Sequence, residues 1–171
     1  CAVELVHMAS LIHDDVLDSA DLRRGKPAVH VVWGTETAVA IGDYLFSRAI
    51  EILAKHGNCE IISILSRTVK RMAEGELLET FNRRNVELTE DKYISIISGK
   101  TASLMSASCE ITANIASVDQ LCSDALSQYG LNFGISYQVM DDLLDIVSTE
   151  DRLGKPVGNN IREGNWPLPV I

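Results

Sequence analysis

Apolar residues recur in long segments bounded by glycine, proline and helix-capping side chains, not in the short alternating runs of half-buried strands. From Cys1 to Asp18 the apolar positions Val3, Leu5, Val6, Met8, Ala9, Leu11, Ile12, Val16 and Leu17 fall on nearly every side of a helix. That is the pattern of a helix buried among others. A loop is expected from Ser19 to Gly34, with Gly25 and Pro27 as breakers. Thr35 offers a cap to a second helix ending near His56, with Gly57 as its C′ residue. A third helix is expected over Glu60 to Phe81.

After the polar stretch Asn82 to Glu87, Thr89 offers another cap, and Gly99 divides two apolar stretches reaching Ser117 as two helices or one kinked helix. The longest segment, Asp119 to Val147, carries Leu121, Leu126, Phe133, Tyr137, Met140, Leu144 and Val147 and reads as a central helix. Gly130 and Gly134 lie inside it at about 1 kcal/mol each. Thr149 to Trp166, with Gly154, Pro156, Gly158 and Gly164, reads as a loop. The prediction is an all-α fold, one domain over residues 1–171.

Length and composition narrow the class. A chain of 171 residues suits a single domain, and one of that size buries roughly 70% of its unfolded surface. With 46% hydrophobic and 23% charged residues, disordered and fibrous classes are excluded. No apolar run approaches the roughly 18 residues of a membrane span, and no leader pattern opens the chain. A cytoplasmic protein without a transmembrane segment is the expectation. The chain starts at Cys1 inside an apolar segment and stops at Ile171 with no terminator signal, as a fragment of a longer protein would.

The net charge of −9, from 24 acidic and 15 basic residues, argues against nucleic acid as a partner. An anionic partner would need help from a metal. Cys1, Cys59, Cys109 and Cys122 stand far apart with no CxxC pair, so reduced, mostly buried thiols are expected.

One short pattern occurs twice: Asp14-Asp15-Val16-Leu17-Asp18 and Asp141-Asp142-Leu143-Leu144-Asp145. On a helix, i and i+4 share a face, so Asp14 aligns with Asp18 and Asp141 with Asp145, with Asp15 and Asp142 beside them. Like charges one turn apart at the end of an apolar segment destabilise a helix unless something compensates. Carboxylates without His or Cys favour Mg²⁺, which takes one or two carboxylates while keeping waters and substrate phosphates. An EF-hand does not fit, because its acids alternate along a loop around a central glycine. Arg23, Arg24 and Lys26 follow the first cluster and Lys155 follows the second, and arginine forks bind phosphate oxygens in pairs. Acid clusters with adjoining bases predict a metal-bridged diphosphate. Arg67, Lys70, Arg71, Arg83 and Arg84 read as solvated surface. His13 reads as a satisfied histidine rather than a ligand.

These residues resemble the trans-prenyltransferases, the isoprenyl diphosphate synthases of the polyprenyl synthetase type. Ser10 to Asp18 with Arg23-Arg24-Gly25-Lys26-Pro27 is similar to the first aspartate-rich motif, and Tyr137 to Asp145 to the second. Gly99-Lys100-Thr101-Ala102 resembles the family's Lys-Thr pair, and Gly154-Lys155-Pro156-Val157-Gly158 its following loop. The resemblance implies the isoprenoid synthase helical bundle, with the clusters facing each other across a deep cavity. It implies ionisation of an allylic diphosphate, attack by isopentenyl diphosphate and loss of a proton.

By the same resemblance, Asp14, Asp15, Asp18, Asp141, Asp142 and Asp145 would hold Mg²⁺. Arg23, Lys155 and Lys100 would neutralise the allylic diphosphate, and Arg24 would contact isopentenyl diphosphate. Thr101 and Gln138 are placed to stabilise the cation. Ser10 lies one turn below Asp14 and Ala9 about 7.5 Å down the axis. Bulky aromatics at these two positions stop the family's growing tail early, so the small residues here imply a long-chain product of the quinone-tail type.

The chain departs from the family's pattern at Asn160, where an Asp is usual, and at Asn165 and Pro167, where a Lys and a Thr are usual. Some resembling heptaprenyl synthases carry Asn at the position of Asn165 and work with a second subunit, so a homodimer or a heterodimer is implied. Two alternatives remain: a non-catalytic or regulatory subunit of a heteromeric synthase, and a terpene cyclase of the same fold.

Overall fold

The computed structural model describes residues 1–55, 58–148 and 157–171, without the side chain of Asn159. It is built of helices, with one two-residue antiparallel pair in which Leu22 faces Pro27 and Arg23 faces Lys26. The chain divides into two compact units, Cys1–Ile62 and Ser63–Ile171.

The first unit holds α1 (Ala2–Leu17), β1 (Leu22–Arg23), β2 (Lys26–Pro27), α2 (Val29–Trp33) and α3 (Thr35–Lys55). Helices α1 and α3 pack together. Burial on α1 follows one stripe, Ala2, Val6, Ala9, Ile12 and Asp15, rather than every side. Met8 and Leu17 stay exposed, which corrects the expectation of an all-round buried helix. His13 bridges to α3, its Nε2–H donating to the Val39 carbonyl oxygen at 3.1 Å and its ring 5.8 Å from that of Phe46. A Cβ on Gly42 would fall 2.1 Å from that Nε2, so the histidine fits only over a glycine. The expected loop from Ser19 to Gly34 contains α2, a single helical turn whose five residues carry too little periodicity to announce themselves. Thr35 is the first helical residue and not the cap; the Ala38 amide bonds the Gly34 carbonyl. The predicted end at His56 and Gly57 lies outside the described residues.

Helix α4 (Cys59–Asn82) runs into the second unit, followed by α5 (Glu90–Ile97), a π-helical turn (Ser98–Ala102), α6 (Ser103–Ile115), α7 (Gln120–Val147), α8 (Asn159–Glu163) and a 3₁₀ turn (Leu168–Val170). Thr89 and Asp119 cap α5 and α7, their side chains accepting from the Lys92 and Cys122 amides at 3.3 and 2.8 Å. The two stretches around Gly99 are one continuous helical run whose middle is widened to π geometry. Such a turn is rare and frequent at functional sites.

Helix α7 packs on α6 and on the π turn. Its glycines make that approach possible: a Cβ on Gly130 would meet the Met105 carbonyl oxygen at 2.7 Å, and one on Gly134 the Cα of Ala102 at 2.5 Å. Its named apolar residues, Leu121, Leu126, Phe133, Tyr137, Met140, Leu144 and Val147, are all exposed. The buried positions are Gly130, Gly134, Asp142 and Asp145, so its packed face is made by glycines and aspartates and not by those apolar residues. The expected loop from Thr149 to Trp166 contains α8, and its first part, with Gly154, Lys155 and Pro156, lies outside the described residues. All four cysteines are free, but Cys1, Cys59 and Cys122 are exposed and Cys109 half-buried, against the expectation of mostly buried thiols. No helix among the described residues is long and apolar enough to cross a membrane.

Candidate active site

The first aspartate cluster occupies the last turn of α1 and its cap. Asp14 and Asp18 are half-buried, while Asp15 is 3% exposed. Arg23 reaches back from β1 to Asp15, donating through Nε at 2.9 Å and through its second guanidinium nitrogen. The hydrogen bond to Asp15, with the charges of Asp15, Asp14 and Asp18, raises the Arg23 pKa above its ordinary value. Arg24 follows at φ 52°, a left-handed backbone in the tight turn between β1 and β2. Ala9 is fully buried on the packed stripe of α1, whereas Ser10 is half-buried, its hydroxyl donating to the His7 carbonyl oxygen at 2.9 Å.

The second cluster lies in the last two turns of α7 and is more enclosed. Asp141 is half-buried, Asp142 is 6% exposed and Asp145 is fully buried. Asp142 is the centre of a network: its Oδ2 accepts from the Tyr93 hydroxyl at 2.6 Å, and its Oδ1 from Gln138 Nε2 at 2.9 Å and Asn160 Nδ2 at 3.1 Å. Gln138 Oε1 accepts from the Thr101 hydroxyl at 3.0 Å. Burial raises the Asp142 pKa and the bonds from Tyr93 and Gln138 pull it back; burial and the bond to Asp142 hold the Tyr93 hydroxyl protonated far above its usual range. Asp145 Oδ2 accepts from the Asn160 amide at 3.1 Å, and its carbonyl from the Gly158 amide at 2.7 Å. Its Oδ1 has no hydrogen-bond partner among the described residues.

Lys100 and Thr101 sit in the π turn. The Lys100 ammonium lies between Glu76, at 2.7 Å, and Glu79 of α4. Glycines bring these elements together: a Cβ on Gly75 would fall 2.4 Å from the Lys100 backbone nitrogen. Gly75→Ala is therefore expected to destabilise the protein, because overpacking costs about 1–3 kcal/mol against a propensity gain of about 1 kcal/mol. Urea unfolding checks the sign.

The structure thus gathers Thr101, Gln138, Asp142 and, beside them, Asp141 and Asp145 in the second unit, and Asp14, Asp15, Asp18 and Arg23 in the first, with Arg24 next in the turn. Lys155 lies outside the described residues. Tyr93, Glu76 and Glu79 were not singled out by their sequence context. Glu76 and Glu79 carried a faint signal, being spaced to share a helix face; a lone tyrosine carried none. Of the basic residues expected on the surface, Arg67 pairs with Glu110 at 3.0 Å and Lys70 with Glu74 at 3.5 Å.

Twin aspartate clusters on helix ends, with a hydroxyl and an amide joined beside one of them, define the class of all-α isoprenoid synthases. The profile of the polyprenyl synthetase family matches residues 1–171, and the chain belongs to that family. It is 40% identical over 170 residues to heptaprenyl diphosphate synthase component 2 of Geobacillus stearothermophilus, covering 99% of this chain and 53% of that protein. It is 41% identical over 175 residues to geranylgeranyl diphosphate synthase of Methanosarcina mazei, covering 99% and 54%. The crystal structure of polyprenyl synthase from Caulobacter crescentus CB15, complexed with calcium and isoprenyl diphosphate, superposes with a TM-score of 0.94 at 43% identity, over 98% of this chain and 51% of that one. The chain spans about half the length of the relatives it matches.

Proposed function

We propose that this chain carries the catalytic residues of an Mg²⁺-dependent trans-polyprenyl diphosphate synthase, forming one catalytic domain that acts in the cytoplasm. It extends an allylic diphosphate with isopentenyl diphosphate to a long-chain product. The observation that carries this reading is the fixed Thr101–Gln138–Asp142 line beside Asp141, within a family of such enzymes. An allylic cation needs oriented dipoles and no nucleophilic water. Thr101 and Gln138 offer hydroxyl and amide oxygens that stabilise positive charge without attacking it. Their mutual hydrogen bond holds them in place before the charge develops.

The donor set suits the metal. Among the described residues no three acidic, imidazole or thiolate groups converge to cage an ion, and Mg²⁺ needs only one or two carboxylates, with water and diphosphate oxygens completing its shell. Asp14 and Asp18 in the first unit, and Asp141 and Asp145 in the second, are the residues that would hold Mg²⁺ ions; Asp145 Oδ1 has no hydrogen-bond partner among the described residues. Bound there, the metal withdraws charge from the diphosphate leaving group. Arg23, already oriented by Asp15, supplies a fixed positive charge near the first cluster, and Lys100 and Lys155 are proposed as further diphosphate contacts. A partner subunit is proposed from the relative named component 2, and a long product from the small Ala9 and Ser10.

The test is the intact protein incubated with Mg²⁺, farnesyl diphosphate and labelled isopentenyl diphosphate, with the products sized. Label is expected in long polyprenyl chains, lost on chelation and restored by Mg²⁺. Product formed without isopentenyl diphosphate, or none with or without a partner subunit, would overturn the reading. Ser10→Phe is expected to shorten the product at little cost in stability, because Ser10 is half-buried. Ala9→Phe must also overpack a fully buried site, at about 1–3 kcal/mol.

A further inference from the structure

We infer that Tyr93 is a positioning residue for Gln138, acting through Asp142, and that Asn160 is the second brace of the same carboxylate. The inference rests on the prenyl-transfer reading above. A glutamine amide has two nearly equivalent orientations, one the reverse of the other, and only its partners decide between them. A carboxylate can only accept, so Asp142 forces the NH₂ end of Gln138 toward itself. The carbonyl end is thereby turned to Thr101, where its partial negative charge is useful to a cation. Reversed, the same side chain would offer its positive end.

Asp142 sets that orientation only while its own carboxylate plane is fixed. The terminal torsion of an aspartate is broad and roughly two-fold. Gln138 and Asn160 both donate to Oδ1. The Tyr93 hydroxyl, delivered from α5 to Oδ2 at 2.6 Å, holds the other oxygen, so the terminal torsion is restrained from both ends. This bond is the shortest of the three, as expected for a hydroxyl on a charged acceptor. Both ends are enclosed, Tyr93 at 4% and Asp142 at 6% exposure, so water does not readily replace either.

The inference also gives Asn160 a role where the resembling family carries an acid. A carboxylate at 160 would lie about where Nδ2 now stands, 3.1 Å from Asp142 Oδ1, and repel it; the carboxamide donates instead.

The test is Tyr93→Phe in the intact protein, which keeps the ring and removes only the hydroxyl. Turnover is expected to fall about tenfold, the scale of one displaced transition-state group, with KM for both diphosphates within about twofold. In a Gln138→Ala background the same change should cost nothing further, since the group it positions is gone. The Gln138 side-chain amide, read by ¹⁵N NMR without metal or substrate, should lose its distinct shift in Tyr93→Phe. Asn160→Asp is expected to perturb the same signal, and reports in its place if Tyr93→Phe does not fold. An unmoved amide signal, or full additivity of Tyr93→Phe with Gln138→Ala, would overturn the inference. An intact protein without prenyl transfer would sink the functional reading, while the amide signal would still report whether Tyr93 holds Gln138.

Discussion

Asp141→Ala is expected to lower turnover about a thousandfold while leaving the unfolding midpoint close to that of the unaltered protein. A metal-held leaving group contributes several kcal/mol to the transition state, and each 1.36 kcal/mol is tenfold in rate, so losing one of its few carboxylates costs about three decades. Asp141 is the member of its cluster suited to this loss, being half-buried where Asp142 and Asp145 are enclosed. Asp14→Ala should lower turnover alike, for Asp14 is half-buried at the end of α1 where Asp15 is enclosed. Incorporation of labelled isopentenyl diphosphate, paired with urea unfolding of each variant, checks both halves. Either variant retaining a tenth of its activity would remove the acidic clusters from the chemistry.

The contrast between neighbouring aspartates is what sequence could not show. Spacing alone set Asp14 with Asp18 and Asp141 with Asp145, and the capping role of Thr89 was legible because an N-cap needs only its own local chain. Long periodic helices were legible for the same local reason. Helices α2 and α8 were not, since five residues give little more than one turn of pattern. Partners distant along the chain were hidden altogether: Tyr93 meets Asp142 across 49 positions, and Lys100 meets Glu79 across 21. Gly130 and Gly134 looked like a cost within α7, and only the close approach of α6 and the π turn shows why a side chain there would not fit. The outward apolar face of α7 was illegible from the opposite direction, because hydrophobic residues do not declare which surface covers them.

Asp142→Ala should separate from Asp141→Ala by destabilising the protein, by about 2 kcal/mol. The substitution strands the Tyr93 hydroxyl and the amides of Gln138 and Asn160, all three of which donate to this one carboxylate. A buried donor without a partner costs about 1–3 kcal/mol, and Tyr93, at 4% exposure, bears most of it. Opposing this, burial raises the Asp142 pKa, so removing the carboxylate recovers part of the energy spent on holding a charge out of water. The stranded donors outnumber that gain. Asp142→Asn tests the balance, because its oxygen can still serve Gln138 and Asn160 while its NH₂ donates to the Tyr93 hydroxyl oxygen. It should lose less than about 1 kcal/mol, the scale of a neutral hydrogen bond replacing a charged one. Urea unfolding should therefore rank the unaltered protein first, Asp142→Asn second and Asp142→Ala last. Equal stability of the alanine and asparagine variants would mean that the three donors find other partners.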